Sequence, residues 1–250
     1  MITAHRGASH DAPENTLAAF RLAWDQNADA IEGDFRLSAD REIVCIHDAD
    51  TRRTCGVQLV VAETPFTSLR DLDYGRWKAE AFTGEPCPTL AEVLEAVPAE
   101  KQFFVELKTG PEIVEPLCRL LDERQVALDS LVIIAFDEQT VAACKKALPT
   151  VKAHWLTGFK ETAKGSGEWL PTAATIAETV ARCGADGVGM QGRREVIDEA
   201  FVGALTEGGV AEFHVWTIDQ PGDARYFADL GAIGITTNKP AFIRSSLEQE

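Results

Sequence analysis

Ionisable side chains stand two residues apart in two apolar segments of the chain. One segment carries Glu32 and Asp34, and the other carries Glu106 and Lys108. If both segments are β-strands, residues two apart project from the same face, so three carboxylates would converge at the strand ends. Carboxylate oxygens on rigid strands suit a hard divalent ion such as Mg²⁺ or Ca²⁺. Ordinary salt bridges with Arg6, Arg36 or Lys108 are the alternative, and the spacing alone does not decide between them.

Two histidines could add acid–base chemistry to this carboxylate cluster. His5 ends the first predicted strand. His47 follows a predicted hairpin whose turn residues, Ala39 and Asp40, would place it directly opposite Glu32. A shift of one residue in this register would turn the side chain to the other face. A single histidine on a strand is usually a hydrogen-bonded core residue. Two histidines beside one carboxylate cluster instead suit a general acid and a general base.

Cations at the same strand ends indicate the charge of the ligand. Arg6 and Lys108 both lie where predicted strands end. Guanidinium and ammonium groups beside a divalent metal favour a phosphate or a carboxylate. The chain as a whole would not attract an anion, because 24 Lys and Arg against 40 Asp and Glu give a net charge of −16. Capture of an anion must therefore be local.

The elements that position these residues alternate regularly along the chain. Short apolar segments predict strands at 2–6, 30–37, 103–108, 131–136, 152–157, 186–190, 212–217 and 234–237. Amphipathic segments predict helices at 15–26, 90–97, 111–124, 138–148, 172–183, 196–206, 221–230 and 240–247. This alternation implies right-handed crossovers and a parallel sheet.

The number of these units predicts one α/β domain over residues 1–250. Eight strand–helix units in 250 residues favour a closed (β/α)₈ TIM barrel with its site at the C-terminal strand ends. A doubly wound open sheet is the alternative, although the chain after the first strand is a poor match to a glycine-rich phosphate turn. The interval 38–88 is too long for an ordinary loop, so it predicts a small insertion over the barrel mouth.

Composition narrows the possible partners. The acidic charge argues against nucleic acid and against anionic membrane surfaces, which both select basic patches. No stretch approaches 18 apolar residues, so no membrane span is expected. The N-terminal residues lack a basic leader with an apolar core, and the six cysteines are widely spread. A cytoplasmic location with reduced thiols is therefore expected, and the oligomeric state is left open.

Short motifs follow one another in order from residue 5 to residue 240. They are His5-Arg6-Gly7, Pro13-Glu14-Asn15-Thr16, Glu32-Gly33-Asp34, His47-Asp48, Arg53-Thr54, Pro88-Thr89-Leu90, Glu106-Leu107-Lys108, Val215-Trp216-Thr217 and Thr236-Thr237-Asn238-Lys239-Pro240. Together they resemble the motifs of the glycerophosphodiester phosphodiesterase family. Any one of them is weak evidence, but the full set in this order is highly specific.

The resemblance implies a TIM barrel that hydrolyses glycerophosphodiesters to sn-glycerol 3-phosphate and an alcohol. It also implies metal ligation by Glu32, Asp34 and Glu106, acid–base catalysis by His5 and His47, substrate binding by Arg6, Lys108 and Trp216, and supporting roles for Glu14 and Asn15. The metal would be Mg²⁺ or Ca²⁺. For Glu14 and Asn15, capping of the first helix is the alternative role.

Two other functions remain open. A lysophospholipase D-like phosphodiesterase would need an apolar mouth, for which the insertion offers Tyr74, Trp77 and Phe82. A catalytically silent anion-binding barrel would lack a histidine or a metal ligand, and none is missing here. The sequence does not decide between water and a neighbouring glycerol hydroxyl as the nucleophile, nor which histidine is the acid.

Overall fold

Eight parallel strands form a ring that closes on itself in this computed structural model, which describes residues 1–248. The strands are β1 (Ile2–His5), β2 (Ala30–Leu37), β3 (Ile43–Cys45), β4 (Gln102–Leu107), β5 (Leu131–Ala135), β6 (Lys152–Thr157), β7 (Lys160–Glu161), β8 (Trp169–Leu170), β9 (Gly187–Gln191), β10 (Phe213–Trp216) and β11 (Gly234–Thr237). The ring runs β1, β11, β10, β9, β6, β5, β4, β2, and the pairing of β2 with β1 closes it. The predicted (β/α)₈ barrel is confirmed, and the open sheet is wrong.

Helices cover the outside of this ring, and two short ones, at 52–55 and 66–70, lie in the insertion after β2. The helices are α1 (Leu17–Asp25), α2 (Arg52–Cys55), α3 (Phe66–Arg70), α4 (Leu90–Glu95), α5 (Val114–Glu123), α6 (Glu138–Ala147), α7 (Ala173–Cys183), α8 (Glu199–Glu207), α9 (Pro221–Asp229) and α10 (Pro240–Glu248). Each helix predicted from periodicity is present, with ends that differ by at most three residues. Among the described residues, every helix falls short of the length and hydropathy that a membrane span requires.

Strand β4 illustrates how the alternation of side chains builds both the core and the site. Phe103, Val105 and Leu107 face the helices and are buried in the largest apolar cluster. Phe104 belongs to a different cluster inside the barrel. Because Glu106 is two residues from Phe104, it shares that inner face and reaches the mouth of the barrel. Burial of the outer face therefore fixes the direction of the carboxylate.

The insertion after β2 adds a strand outside the ring and a small core of its own. Strand β3 pairs antiparallel with the end of β2. The buried members of the insertion core are Val44, Ile46, Val61, Leu69, Tyr74 and Cys87. All six cysteines of the chain carry free thiols.

The register of the β2–β3 hairpin differs by one residue from the prediction. Cys45 lies opposite Phe35, one position away from its predicted partner. The loop is one residue longer than a two-residue turn, because Arg41 adopts a left-handed backbone conformation with φ of 65°. The predicted direct pairing of His47 with Glu32 is therefore wrong. His47 instead lies beyond the end of β3, and the chain brings it to the barrel mouth as it leaves that strand.

Candidate active site

The C-terminal ends of the barrel strands open into one pocket. Its walls are formed by His5, Arg6, Glu32, His47, Glu106, Lys108, Ile134, Phe136, Leu156, His214, Trp216, Thr217 and Thr236. Seven of the predicted site residues are in this wall. The remaining three, Asp34, Glu14 and Asn15, lie behind it and bond to the wall or to one another.

Three buried carboxylates converge at the edge of this pocket. One oxygen each from Glu32, Asp34 and Glu106 lie within 4.8 Å of one another. Burial, together with the charges of Asp34 and Glu106, raises the pKa of Glu32 well above its ordinary value. Burial and the charge of Asp34 likewise raise the pKa of Glu106 to about 7, although Lys108 opposes the shift. The cluster is therefore short of positive charge.

The same cluster fits a divalent ion by the chemistry of its donors. Oxygens Oε1 of Glu32, Oδ1 of Asp34 and Oε1 of Glu106 are buried. Within residues 1–248, Glu32 Oε1 has no polar partner, and the other two oxygens share the one ammonium group of Lys108. Buried polar atoms are almost always satisfied in native proteins, so three convergent carboxylates served by one ammonium group indicate a missing cation. A hard cation such as Mg²⁺ or Ca²⁺ takes carboxylate oxygens as ligands.

Two cations border the carboxylates from either side. Lys108 Nζ lies 3.1 Å from Asp34 Oδ1 and also forms an ion pair with Glu106. Arg6 Nε lies 3.0 Å from Asp34 Oδ2, and the Arg6 backbone N–H donates to Glu32 Oε2 at 2.9 Å. Burial opposes ionisation of Asp34, but Lys108 and Arg6 outweigh it and hold the pKa of Asp34 below its ordinary value. Salt bridges and a carboxylate cluster, which spacing presented as alternatives, are both present.

Residues at the start of α1 brace this arrangement. Asn15 Nδ2 donates to Asp34 Oδ2 at 2.8 Å, and the Asp34 N–H donates to Asn15 Oδ1 at 3.2 Å. Glu14 Oε1 accepts from Arg6 at 2.8 Å and from Arg53 at 2.7 Å. Thr16 caps the helix, because its side-chain oxygen accepts a hydrogen bond from the backbone N–H of Ala19. Helix capping is therefore the role of Thr16, and Glu14 and Asn15 hold charged groups of the site.

His5 is fixed by a network that begins on β11. Its Nδ1 lies 2.7 Å from Asn238 Oδ1, and Asn238 in turn donates to Asp219 at 2.6 Å. Since the amide oxygen can only accept, Nδ1 carries the proton and Nε2 of the neutral ring is left with a lone pair. Burial and the neighbouring Arg6 charge lower the pKa of His5 to about 4. The ring is therefore neutral at physiological pH.

His47 is held by charged neighbours rather than by an amide. Its Nδ1 lies 2.7 Å from Asp48 Oδ1, and Arg53 Nε donates to Asp48 Oδ2 at 2.6 Å. Arg36 donates two hydrogen bonds to the backbone carbonyl of His47, at 2.8 and 2.9 Å. Burial lowers the pKa of His47, although Asp34 and Asp48 oppose the shift. The side chain is thus oriented from both its ring and its backbone.

The sequence did not predict what three of these bracing residues do. Asp48 and Asn238 occur in the motifs above, and the adjacency of His47 and Asp48 is a usable signal for a histidine–carboxylate pair. Arg36 was expected only as an alternative salt-bridge partner of the carboxylates, whereas it donates to a backbone carbonyl across the hairpin. Side chains that bind backbone atoms depend on the register of the strands, which a pattern of residue types does not specify.

Comparison with known families resolves which chemistry this pocket serves. The model of the glycerophosphoryl diester phosphodiesterase family matches residues 5–242. The chain belongs to this family. Its members named below, and the chain itself, are phosphoric diester hydrolases.

Three relatives of this phosphodiesterase match between about three fifths and the whole of its length. The Bacillus subtilis (strain 168) protein YhdW is 32% identical over 248 residues, which is 97% of this chain and 96% of that protein. The glycerophosphodiester phosphodiesterase of Caldanaerobacter subterraneus subsp. tengcongensis is 36% identical over 158 residues, which is 61% of this chain and 64% of that protein. A phosphodiesterase of Oleispira antarctica shares the fold with a TM-score of 0.86 at 24% identity, covering 100% of this chain and 97% of that one.

A further part of the phosphodiesterase pocket wall is aromatic. The rings of Trp216 and Phe136 meet edge to face with their centroids 5.5 Å apart. Lys108 Nζ lies 5.7 Å from the centroid of Phe136, so the ammonium group connects the charged wall to the aromatic one. Of the insertion aromatics that the sequence offered for an apolar mouth, Tyr74 is instead buried in the insertion core. The Trp77 indole N–H donates to the Tyr74 carbonyl at 2.8 Å.

Proposed function

We propose that this member of the family is a metal-dependent phosphodiesterase that hydrolyses glycerophosphodiesters to sn-glycerol 3-phosphate and an alcohol. The observation that carries the proposal is the convergence of three buried carboxylates beside two histidines and two cations, with Glu32 Oε1 left without a polar partner within residues 1–248. The Oleispira antarctica phosphodiesterase with the same fold is in complex with the product sn-glycerol-3-phosphate. That product carries the anionic phosphate that such a set of charges would bind.

Glu32, Asp34 and Glu106 would hold the Mg²⁺ or Ca²⁺ ion. When bound, such an ion supplies charge that stabilises the phosphoryl oxygens in the transition state. Asn15 keeps Asp34 oriented through the two hydrogen bonds between them. Because both oxygens of Asp34 already contact cationic side chains, its position is set before any ion binds.

Arg6 and Lys108 would bind the phosphate of the substrate. Both side chains are mostly shielded from solvent, with 17% and 13% of their side-chain surface exposed. Charge-assisted hydrogen bonds from such groups are stronger than those in bulk water, because the surroundings have a lower dielectric constant. Glu14 holds Arg6 in place from behind. Trp216 would pack against the glycerol or alcohol part.

The two histidines have different environments, which support different roles. Asn238 keeps the proton of neutral His5 on Nδ1, so Nε2 is free to accept a proton as a general base. Asp48 faces His47 with a carboxylate, which stabilises the protonated ring of a general acid. His5 would activate the nucleophile. This is either water, which gives sn-glycerol 3-phosphate directly, or the neighbouring glycerol hydroxyl, which expels the alcohol to give a cyclic phosphate that water then opens. His47 would protonate the alkoxide that leaves.

Product analysis tests this function directly. Glycerophosphocholine incubated with the protein and Mg²⁺ or Ca²⁺ should give sn-glycerol 3-phosphate and choline, identified by ³¹P and ¹H NMR. A His5→Ala variant serves as the control for a contaminating hydrolase. Absence of hydrolysis with either ion, or cleavage on the choline side to give phosphocholine, would contradict the proposal.

A further inference from the structure

Two histidines lie side by side inside the barrel, and one of them lines the pocket. His154 on β6 is 0% exposed and His214 on β10 is 1% exposed. Their ring centroids are 5.3 Å apart, and the ring of Phe104 packs 5.2 Å from His214. The residues around them in this layer are apolar, including Val132 and Leu156. Two imidazoles in such a layer need polar partners.

Only one of the two histidines finds a partner within the described part of the chain. His154 Nε2 lies 2.9 Å from Glu212 Oε1, and Glu212 also pairs with Lys152 at 2.8 Å at the base of the barrel. Neither ring nitrogen of His214 has a hydrogen-bond partner within residues 1–248. A buried donor and acceptor left unsatisfied are costly to the folded state. His214 therefore requires a partner that the chain does not provide.

Strand β9 is shaped to leave room for this ring. A Cβ atom on Gly189 would lie 2.3 Å from His214 Nε2 and 2.4 Å from a methyl group of Leu156, so no larger residue fits without displacement. Glycine in the interior of a strand weakens it, which makes such a position informative. The absence of a side chain at Gly189 thus provides the space that the His214 imidazole occupies.

His214 also belongs to the wall of the active-site pocket, whereas His154 does not. It stands two residues before Trp216 on the same strand face, so it lies about 7 Å deeper along β10. Arg6 and Lys108 hold charges at the mouth. In a phosphodiester anchored there with its glycerol carbons directed inward, the terminal hydroxyl would be the group that reaches furthest.

We infer that His214 is a specificity-determining residue that forms a hydrogen bond with the terminal hydroxyl of the glycerol moiety. The inference rests on the proposed function. Burial lowers the pKa of His214 well below its ordinary value, so the ring is neutral and offers both a donor and an acceptor. A hydroxyl likewise donates and accepts, and a site built to bond it discriminates strongly against an analogue that lacks it.

The test compares two diesters that differ only in this hydroxyl. One is glycerophosphocholine, and the other is the matching phosphocholine diester of propane-1,2-diol, which keeps the hydroxyl next to the reacting ester. Wild-type protein should show a kcat/KM that is roughly tenfold or more higher for the glycerol diester. His214→Leu should remove most of that preference, by slowing the glycerol diester and leaving the propanediol diester within roughly twofold. His214→Gln should restore part of it.

His154→Gln is the matched control, because it changes a buried histidine of the same layer that does not line the pocket. It should alter both substrates by the same factor. Equal kcat/KM of the wild type for the two diesters would overturn the inference whether or not the variants fold. An equal loss of kcat/KM on both diesters in a folded His214→Leu variant would also overturn the inference. That result is expected if the ring bonds only to trapped water. If the wild type cleaves neither diester, the proposed function fails instead.

Discussion

Two cations face three carboxylates in the pocket, so one negative charge is left over when all five groups are ionised. Burial is the main cause that raises the pKa values of Glu32 and Glu106, and the neighbouring negative charges add to it. A divalent ion would reverse the balance and leave the site net positive, ready for a phosphate. On the proposed function, the individual residues divide into carboxylates that would hold the ion and cations that would bind the anion.

Lys108 and Glu106 allow this division to be tested on one strand. Lys108→Met keeps most of the stem but removes the charge, so it should impair phosphate handling and raise KM, while the ion still binds. Glu106→Gln should weaken ion affinity first, because it removes an anionic ligand. Isothermal calorimetry with Mg²⁺ or Ca²⁺ on both variants separates the two effects. Loss of the ion in Lys108→Met, with wild-type affinity in Glu106→Gln, would reverse the roles.

The histidines should each be needed for turnover. His5→Ala and His47→Ala are expected to lower kcat by roughly 10²–10⁴, the range for a positioned acid or base. If the two have opposite roles, kcat/KM should follow a bell-shaped pH profile in which His5→Ala abolishes the acidic limb and His47→Ala the basic one. A variant with near-normal kcat, or a wild-type profile with one limb only, would contradict the paired assignment.

At the scale of elements, the insertion is tied to the barrel through Arg53 on α2. Its guanidinium group bonds Glu14 at 2.7 and 2.8 Å and Asp48 at 2.6 Å, and so it links the supports of Arg6 and His47. The rest of the insertion packs mainly on its own core. The position of His47 over the pocket therefore depends on a few charged contacts as well as on β3.

Removal of this tie should affect catalysis more than stability. Arg53→Met is expected to lower kcat by roughly 10- to 100-fold through misplacement of His47, because small displacements of a catalytic group are costly. The unfolding temperature should change little, since the Arg53 side chain is 44% exposed. Arg52→Met, on the same short helix, is the matched control and should retain activity. Equal kcat for the two variants would show that Arg53 does not position His47.

Elements were more predictable than the contacts between them. Apolar runs located all eight ring strands, and the spacing of Glu32 and Asp34 on one of them correctly indicated a shared face. The predicted hairpin register was wrong because Arg41 has a left-handed backbone conformation. Arginine rarely adopts this conformation, so the residue type does not predict it. The lack of hydrogen-bond partners for the His214 ring within residues 1–248 could likewise not be predicted, since it depends on which side chains surround the ring in space.

At the scale of the whole molecule, a low pH should destabilise the barrel through protonation of Glu212 at its bottom end. The hydrogen bond from His154 is the main cause that lowers the pKa of Glu212 to about 2, with Lys152 adding to it and burial opposing it. An unfolded glutamate titrates at about 4.3, so the folded chain holds the ionised form more tightly. This contribution is present above that value and is lost as the pH falls towards about 2.

The free energy of unfolding of Glu212→Gln provides the test. The wild type should exceed the variant near neutral pH, and the difference should shrink between about pH 5 and about pH 2.5. Urea unfolding at a series of pH values measures it. A difference that stays constant over this range would mean that the His154–Glu212 pair does not couple protonation to folding.

The central claim is that the barrel mouth holds one divalent ion on Glu32, Asp34 and Glu106 and needs it for hydrolysis. The most direct measurement is turnover of glycerophosphocholine by chelator-stripped protein as Mg²⁺ or Ca²⁺ is added back, with ion binding followed on the same sample. We expect no turnover without the ion and recovery in proportion to the occupancy of one site per chain. The ion should also raise the unfolding temperature, because it binds the folded state. Full turnover of the stripped protein would contradict the account.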